Sequence, residues 1–335
     1  MTVPMTAPAP RRARRLLSIP PAVAVLALGL TACGGDTGSG GDQAADGTVP
    51  VVVSTSVWGS VVSAVAGDAA TVTSIINDPS GDPHSYQATA RDAATVQGAK
   101  LLVSNGGGYD DFFTKLADQA PDTRKVVAVE LAPADEQGHA EGGHADEGPA
   151  EGGHGHGHEG RNEHVWYDVA TVRAVADRVA AELGELRPED EQRFTDNAAA
   201  FSGRLDELEA RIDRMAAEHA GTKVVATEPV AHYLLEAARL DDVTPRDFAE
   251  AIEEETDVPV AAQEAVNQLV EGRQVRVVVH NEQTETPVTE QLVAKAGAAG
   301  IPVVTVTETL PEGQTDYIAW MSKQVDELAA ALSGA

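Results

Sequence analysis

The chain has little of what would cross-link it, carry it through a bilayer or bind it to polyanions. Cys33 is the only cysteine, so no disulfide can form within a monomer. Basic residues are scarce, with 24 Lys and Arg against 53 Asp and Glu and a net charge of −29 at pH 7. Four of those bases and none of the acids lie in the first 32 residues. The remainder therefore holds 20 bases against 53 acids, a net charge of −33. Such a surface argues against nucleic acid and acidic headgroups as partners and suits a cationic one. The apolar run from Ile19 to Leu30 is too short to span a bilayer comfortably. There is no H-E-x-x-H, no nucleophile elbow and no general base beyond the candidate ligands, so an enzyme is not expected.

What is present begins with an address. "RRARRLLSIPPAVAVLALGLTACGG" has a basic start, a short apolar stretch and then Leu30-Thr31-Ala32-Cys33, which resembles a bacterial lipobox. Residues 1–32 read as a signal peptide, Cys33 as the lipid-bearing anchor and residues 33–48 as a flexible tether. The expected location is the outer face of the cytoplasmic membrane. A second unusual stretch, residues 134–161, is rich in Gly and acids and cannot bury a core. It holds five of the ten histidines: His139, His144, His154, His156 and His158.

Between these segments, short β-branched runs alternate with helical spacing. The runs 49–55, 71–76, 100–104, 125–130, 222–228, 275–280 and 301–308 are continuously apolar, as strands covered on both faces are. From residue 188 to 220 the apolar positions Phe194, Ala198, Phe201, Leu205, Leu208, Ile212 and Met215 recur at spacings of four and three, the stripe of one long helix. The expected fold is α/β: two lobes, 49–187 and 221–335, each a parallel sheet flanked by helices, joined by a linking helix over 188–220.

In open parallel sheets, ligands bind beyond the carboxyl ends of the strands. His84, Glu228, His280 and Glu308 all follow strands, and His164 stands where the acidic insert returns to the fold. Each has a plainer reading. His84 or Asp82 could cap a helix, His164 could pack on Trp166, Glu228 could favour a helix start, and Glu308 could be exposed. Their shared position instead points to a divalent cation gripped between the lobes. His280 and His232 stand as alternative ligands or as hydrogen-bonding neighbours of the ligands.

"GDPHSYQATARDAATVQGAKLLVSNGGGYDDFFTKL", "NEHVWYD", "VVATEPVAHYLLEAARL" and "IPVVTVTETLPEGQTDYIAWM" occur in order, with the His-rich insert between the first two. They resemble the metal-binding lipoproteins that serve zinc- and manganese-importing ABC transporters, over nearly all of 49–332. The resemblance implies His84, His164, Glu228 and Glu308 as ligands, a rather rigid spine helix with small closure on the metal, and an ABC permease with its ATPase as partners of a monomer. Glu228 stands where zinc-type members more often have His, and Glu308 where Asp is frequent. Two imidazoles and two carboxylates suit tetrahedral zinc, or manganese if the carboxylates bind through both oxygens. The insert's imidazoles would collect zinc weakly beside the cleft, which favours zinc as cargo, with manganese the alternative. A zinc hydrolase and a surface adhesin are the remaining alternatives. Affinity is expected to fall below about pH 6, where imidazoles protonate.

Overall fold

The computed structural model describes residues 47–133 and 161–334. The expected signal, Cys33, most of the tether and the five insert histidines lie outside these residues. Two four-stranded, wholly parallel sheets form the frame. The first has the order β2-β1-β3-β4, from Val49–Thr55 (β1), Ala70–Ile76 (β2), Leu101–Ser104 (β3) and Arg124–Val127 (β4). The second has the order β6-β5-β7-β8, from Lys223–Ala226 (β5), Asp241–Asp242 (β6), Val277–Asn281 (β7) and Val303–Val306 (β8). Helices connect the strands: Ser56–Ala66 (α1), Ala90–Gln97 (α2), Asp111–Ala117 (α3) and Val169–Leu186 (α4) in the first half. The long Glu191–His219 (α5) follows, then His232–Ala237 (α6), Arg246–Glu253 (α7), Val260–Glu271 (α8), Pro287–Ala299 (α9) and Tyr317–Ser333 (α10).

Strand alternation explains the unbroken apolar runs. Val51 and Val53 of β1 and Leu101 and Val103 of β3 join the central core, while Val52 and Leu102 join a separate cluster with Phe112, Phe113 and Leu116. The second sheet repeats the arrangement. Val224, Ala226, Val277 and Val279 face the central core, and Val225 and Val278 face Phe248, Val266 and Leu292. Both faces of the central strands of each sheet are thus buried, which a period-two polar pattern would not allow. Edge strands such as β2 alternate between covered and exposed positions.

The spine α5 carries its apolar stripe as expected, every one of the seven positions buried. A single central cluster includes that stripe, α1, α4 and α10, and strands of both sheets. The halves are also strapped by buried hydrogen bonds. The Tyr167 hydroxyl donates to the Thr307 carbonyl at 2.9 Å, and the Tyr317 hydroxyl donates to the Trp166 carbonyl at 2.6 Å. Among the described residues, no helix is long and apolar enough to cross a membrane.

Three local expectations change. The second sheet has a fourth strand, β6, whose two exposed aspartates carry no apolar signal. The run at 125–130 leaves the sheet after Val127 and becomes a 3-10 turn, Ala128–Leu131. Neither His84 nor Asp82 caps α2. Thr89 does, accepting from the Asp92 amide while the Asp92 side chain accepts from the Thr89 amide, a reciprocal box.

Candidate metal centre

In the second sheet, the alternation that buries valines also delivers polar groups. Val224 and Ala226 face the central core, so continuing that parity past the end of β5 reaches Glu228. Val277 and Val279 lead to Asn281, and Val304 and Val306 lead to Glu308. The three meet. The Asn281 side-chain amide donates to Glu228 Oε2 at 2.9 Å and to Glu308 Oε1 at 2.8 Å. Thr284 donates to the other Glu228 oxygen. Glu308 is only 2% exposed, and its Oε2 is buried without a partner within hydrogen-bonding distance. Gln283 steadies this edge: its amide nitrogen donates to the Pro79 carbonyl at 2.6 Å, across to the loop that carries His84.

The first lobe contributes a tighter group. Ligand atoms of His84, Glu163 and His164 all lie within 4.8 Å of one another, with His84 Nε2 3.3 Å from Glu163 Oε1. His84 stands in the loop after β2, its amide donating to Asp82 at 2.9 Å, and its ring meets Tyr109 edge-on at 5.2 Å. His164 is 1% exposed and packs against Trp166 at 5.1 Å. Its orientation is fixed by Asn162. The Asn162 amide nitrogen donates to the Pro229 carbonyl at 2.8 Å, which turns Oδ1 toward His164. That oxygen accepts from the His164 backbone amide at 2.8 Å and lies 3.0 Å from Nδ1. Nδ1 therefore carries the proton and Nε2 keeps its lone pair, the arrangement of a metal-binding imidazole.

Glu163 rests on the turn Asn105-Gly106-Gly107-Gly108. The Asn105 side chain donates to the Glu163 carbonyl at 2.8 Å, and Asp110 accepts from the Asn105 and Gly106 amides. Gly107 and Gly108 adopt φ of 75° and 106°, and a Cβ on either would press on Glu163. A cleft of about 970 Å³ opens beside this group, bounded by His84, Glu163, His232, Glu250, Glu253 and Glu255.

Crowded acids in a buried place hold their protons. Burial first, then Glu253 and Glu308, push Glu163 up to about 8. Burial and Glu228 raise Glu308 to about 8, and burial with Glu228 raises Glu253 to about 7. Glu228 is raised by burial, against the donors Thr284 and Asn281. Burial also lowers His84, and it lowers His164 well below the usual imidazole range, helped there by the neighbouring His84 and His232. At neutral pH both imidazoles are neutral donors, while Glu163 and Glu308 hold protons that a cation would displace.

The family model described as "ZnuA: Zinc-uptake complex component A periplasmic" matches residues 51–331. The chain belongs to this family. Among curated relatives it is 28% identical over 189 residues to the manganese-binding lipoprotein MntA of Halalkalibacterium halodurans, covering 56% of this chain and 55% of that one. It is 28% identical over 193 residues to the zinc-binding protein TroA of Treponema pallidum, covering 57% of each. The chain thus spans little more than half the length of these relatives. Among solved structures, periplasmic zinc-binding TroA from Treponema pallidum superimposes with a TM-score of 0.69 at 19% identity, over 85% of this chain and 99% of that one. That likeness establishes the two-lobed α/β fold.

For this member of the zinc-uptake family, the four expected ligands fall into two sets. His84 and His164 stand together with Glu163, and Glu228 and Glu308 share Asn281. Among the described residues, the two carboxylates do not belong to the 4.8 Å group of the histidines. His280 lies at the opposite parity of β7 from Asn281, with Nε2 3.4 Å from Glu285. His232 is half exposed at the cleft rim, 3.9 Å from Glu236. Sequence reading passed over Glu163, Asn281 and Tyr109. The signal for Asn281 was strand parity, since it continues Val277 and Val279 where His280 does not. Glu163 offered only its adjacency to His164.

Proposed function

We propose that the chain captures one divalent metal ion, zinc in the first place, outside the cytoplasmic membrane and passes it to an ABC-type permease and its ATPase. The supporting observation is the donor set: two neutral imidazoles on one side, two buried carboxyls on the other, and a buried Glu308 oxygen outside normal hydrogen-bond distance of any partner. Glu228 and Glu308 would turn from Asn281 toward the ion, and small movements of the two halves would complete the shell. Four protein donors close the coordination sphere, which suits carriage rather than hydrolysis. Manganese is the second reading, carried by the abundance of carboxylate oxygens near only two imidazoles. Lipid attachment at Cys33 would keep the protein beside its permease.

Calorimetry on the full chain tests the reading. One tight zinc event per chain is expected, with weaker events from the histidines of residues 134–161. His164→Ala should abolish the tight event and leave the weak ones. A tight event that survives in His164→Ala overturns the proposed site.

A further inference from the structure

We infer that Glu163 is itself a ligand, forming with His84 and His164 a three-donor half-site whose added carboxylate strengthens manganese binding more than zinc binding. The inference rests on the metal-binding reading above.

Donor spacing supports this. Two donors about 2.1 Å from a common ion, at angles between octahedral and tetrahedral, stand about 3.0–3.4 Å apart. His84 Nε2 and Glu163 Oε1 are 3.3 Å apart. A hydrogen bond between them, charged or neutral, would be shorter, about 2.7–3.2 Å. The pair is spaced as ligands are, and His164, within 4.8 Å of both, would join them by a small shift toward the ion.

The position of Glu163 is also built. Asn105 holds its carbonyl at 2.8 Å. A Cβ on Gly107 would come within 3.3 Å of Glu163 Cβ, and one on Gly108 within 3.2 Å of Glu163 Oε2. The triple-glycine turn thus leaves room for this carboxylate at the cleft wall. On the other side Glu308, 2% exposed, keeps Oε2 outside normal hydrogen-bond distance of any partner, with the Tyr109 hydroxyl as its electrostatic neighbour, and contributes to the surroundings of Glu163. A cation between them would answer both. Adding Glu163 to His84, His164, Glu228 and Glu308 makes two nitrogen and three carboxylate donors. Zinc is satisfied by four, whereas manganese gains from each further oxygen.

The experiment compares the full chain with Glu163→Gln and Glu308→Gln in competitive titrations with zinc and with manganese, and records the visible spectrum of the cobalt(II) forms. In Glu163→Gln, manganese affinity should fall about 100-fold or more, beyond the usual cost of losing a group that only supports a ligand. Zinc affinity should fall less, and the cobalt spectrum should change. If Glu163→Gln binds both metals as the native chain does while Glu308→Gln loses them, the inference fails and the binding function stands. Equal losses for both metals with an unchanged cobalt spectrum also overturn it, because Glu163 would then act through charge alone. A native chain that binds neither metal tightly overturns the function itself.

Discussion

At the scale of single residues, the buried acids give this protein a response to pH of their own beside that of the histidines. From sequence, affinity should fall below about pH 6 as imidazoles protonate. Burial instead depresses both imidazoles, and it raises Glu163 and Glu308 to about 8 and Glu253 to about 7. The sign follows from linkage. A carboxyl with a raised folded-state pKa favours folding while protonated, so its contribution is complete below the ordinary value of 4.5 and is lost as pH climbs toward 8. Metal-free protein should therefore melt at progressively lower temperature from pH 5 to pH 8, and the upward shift caused by saturating zinc should grow over the same interval. Scanning fluorimetry at pH 5, 6, 7 and 8, with and without zinc, reads both trends. A zinc-induced shift that is constant with pH would contradict them.

At the scale of elements, the sequence was most legible where periodicity and burial coincide. The stripe from Phe194 to Met215 announced α5, and the apolar runs announced seven of the eight strands. Only the central strands β1, β3, β5 and β7 are buried on both faces, while β2 at the sheet edge alternates with exposed threonines. What escaped had no such signature. The β6 strand is two exposed aspartates held at the sheet edge by pairing of Lys223 with Asp241 and of Val224 with Asp242. The site was half legible for a related reason. Chemistry singles out histidines, but whether a side chain reaches the cleft depends on strand parity, and parity favoured Asn281 over His280. Two substitutions in α5 separate its buried stripe from its exposed face. Leu205→Ala removes a fully buried side chain and should cost about 2–5 kcal/mol in denaturant unfolding. Gly203 is exposed, and a Cβ there would meet nothing within 4 Å. Gly203→Ala should therefore stabilise the protein by about 0.5–1 kcal/mol.

At the scale of the whole molecule, the described residues form a two-lobed fold. If Cys33 carries the lipid, Cys33→Ser should move the protein from the membrane to the soluble fraction on centrifugation, with zinc binding intact. Unchanged fractionation would contradict the anchor. The central cluster that includes α5 and strands of both sheets has a mechanical consequence. Halves that share so much buried surface cannot swing apart like a jaw without exposing it. The cheaper route for cargo in or out is local: the segment between β2 and α2, which offers His84 at the mouth of the cleft and is moored by Tyr86 against Phe112, ring centres 4.6 Å apart. The doorway would then be one short stretch of chain, and loosening its mooring should quicken the ion's escape more than any change at the spine.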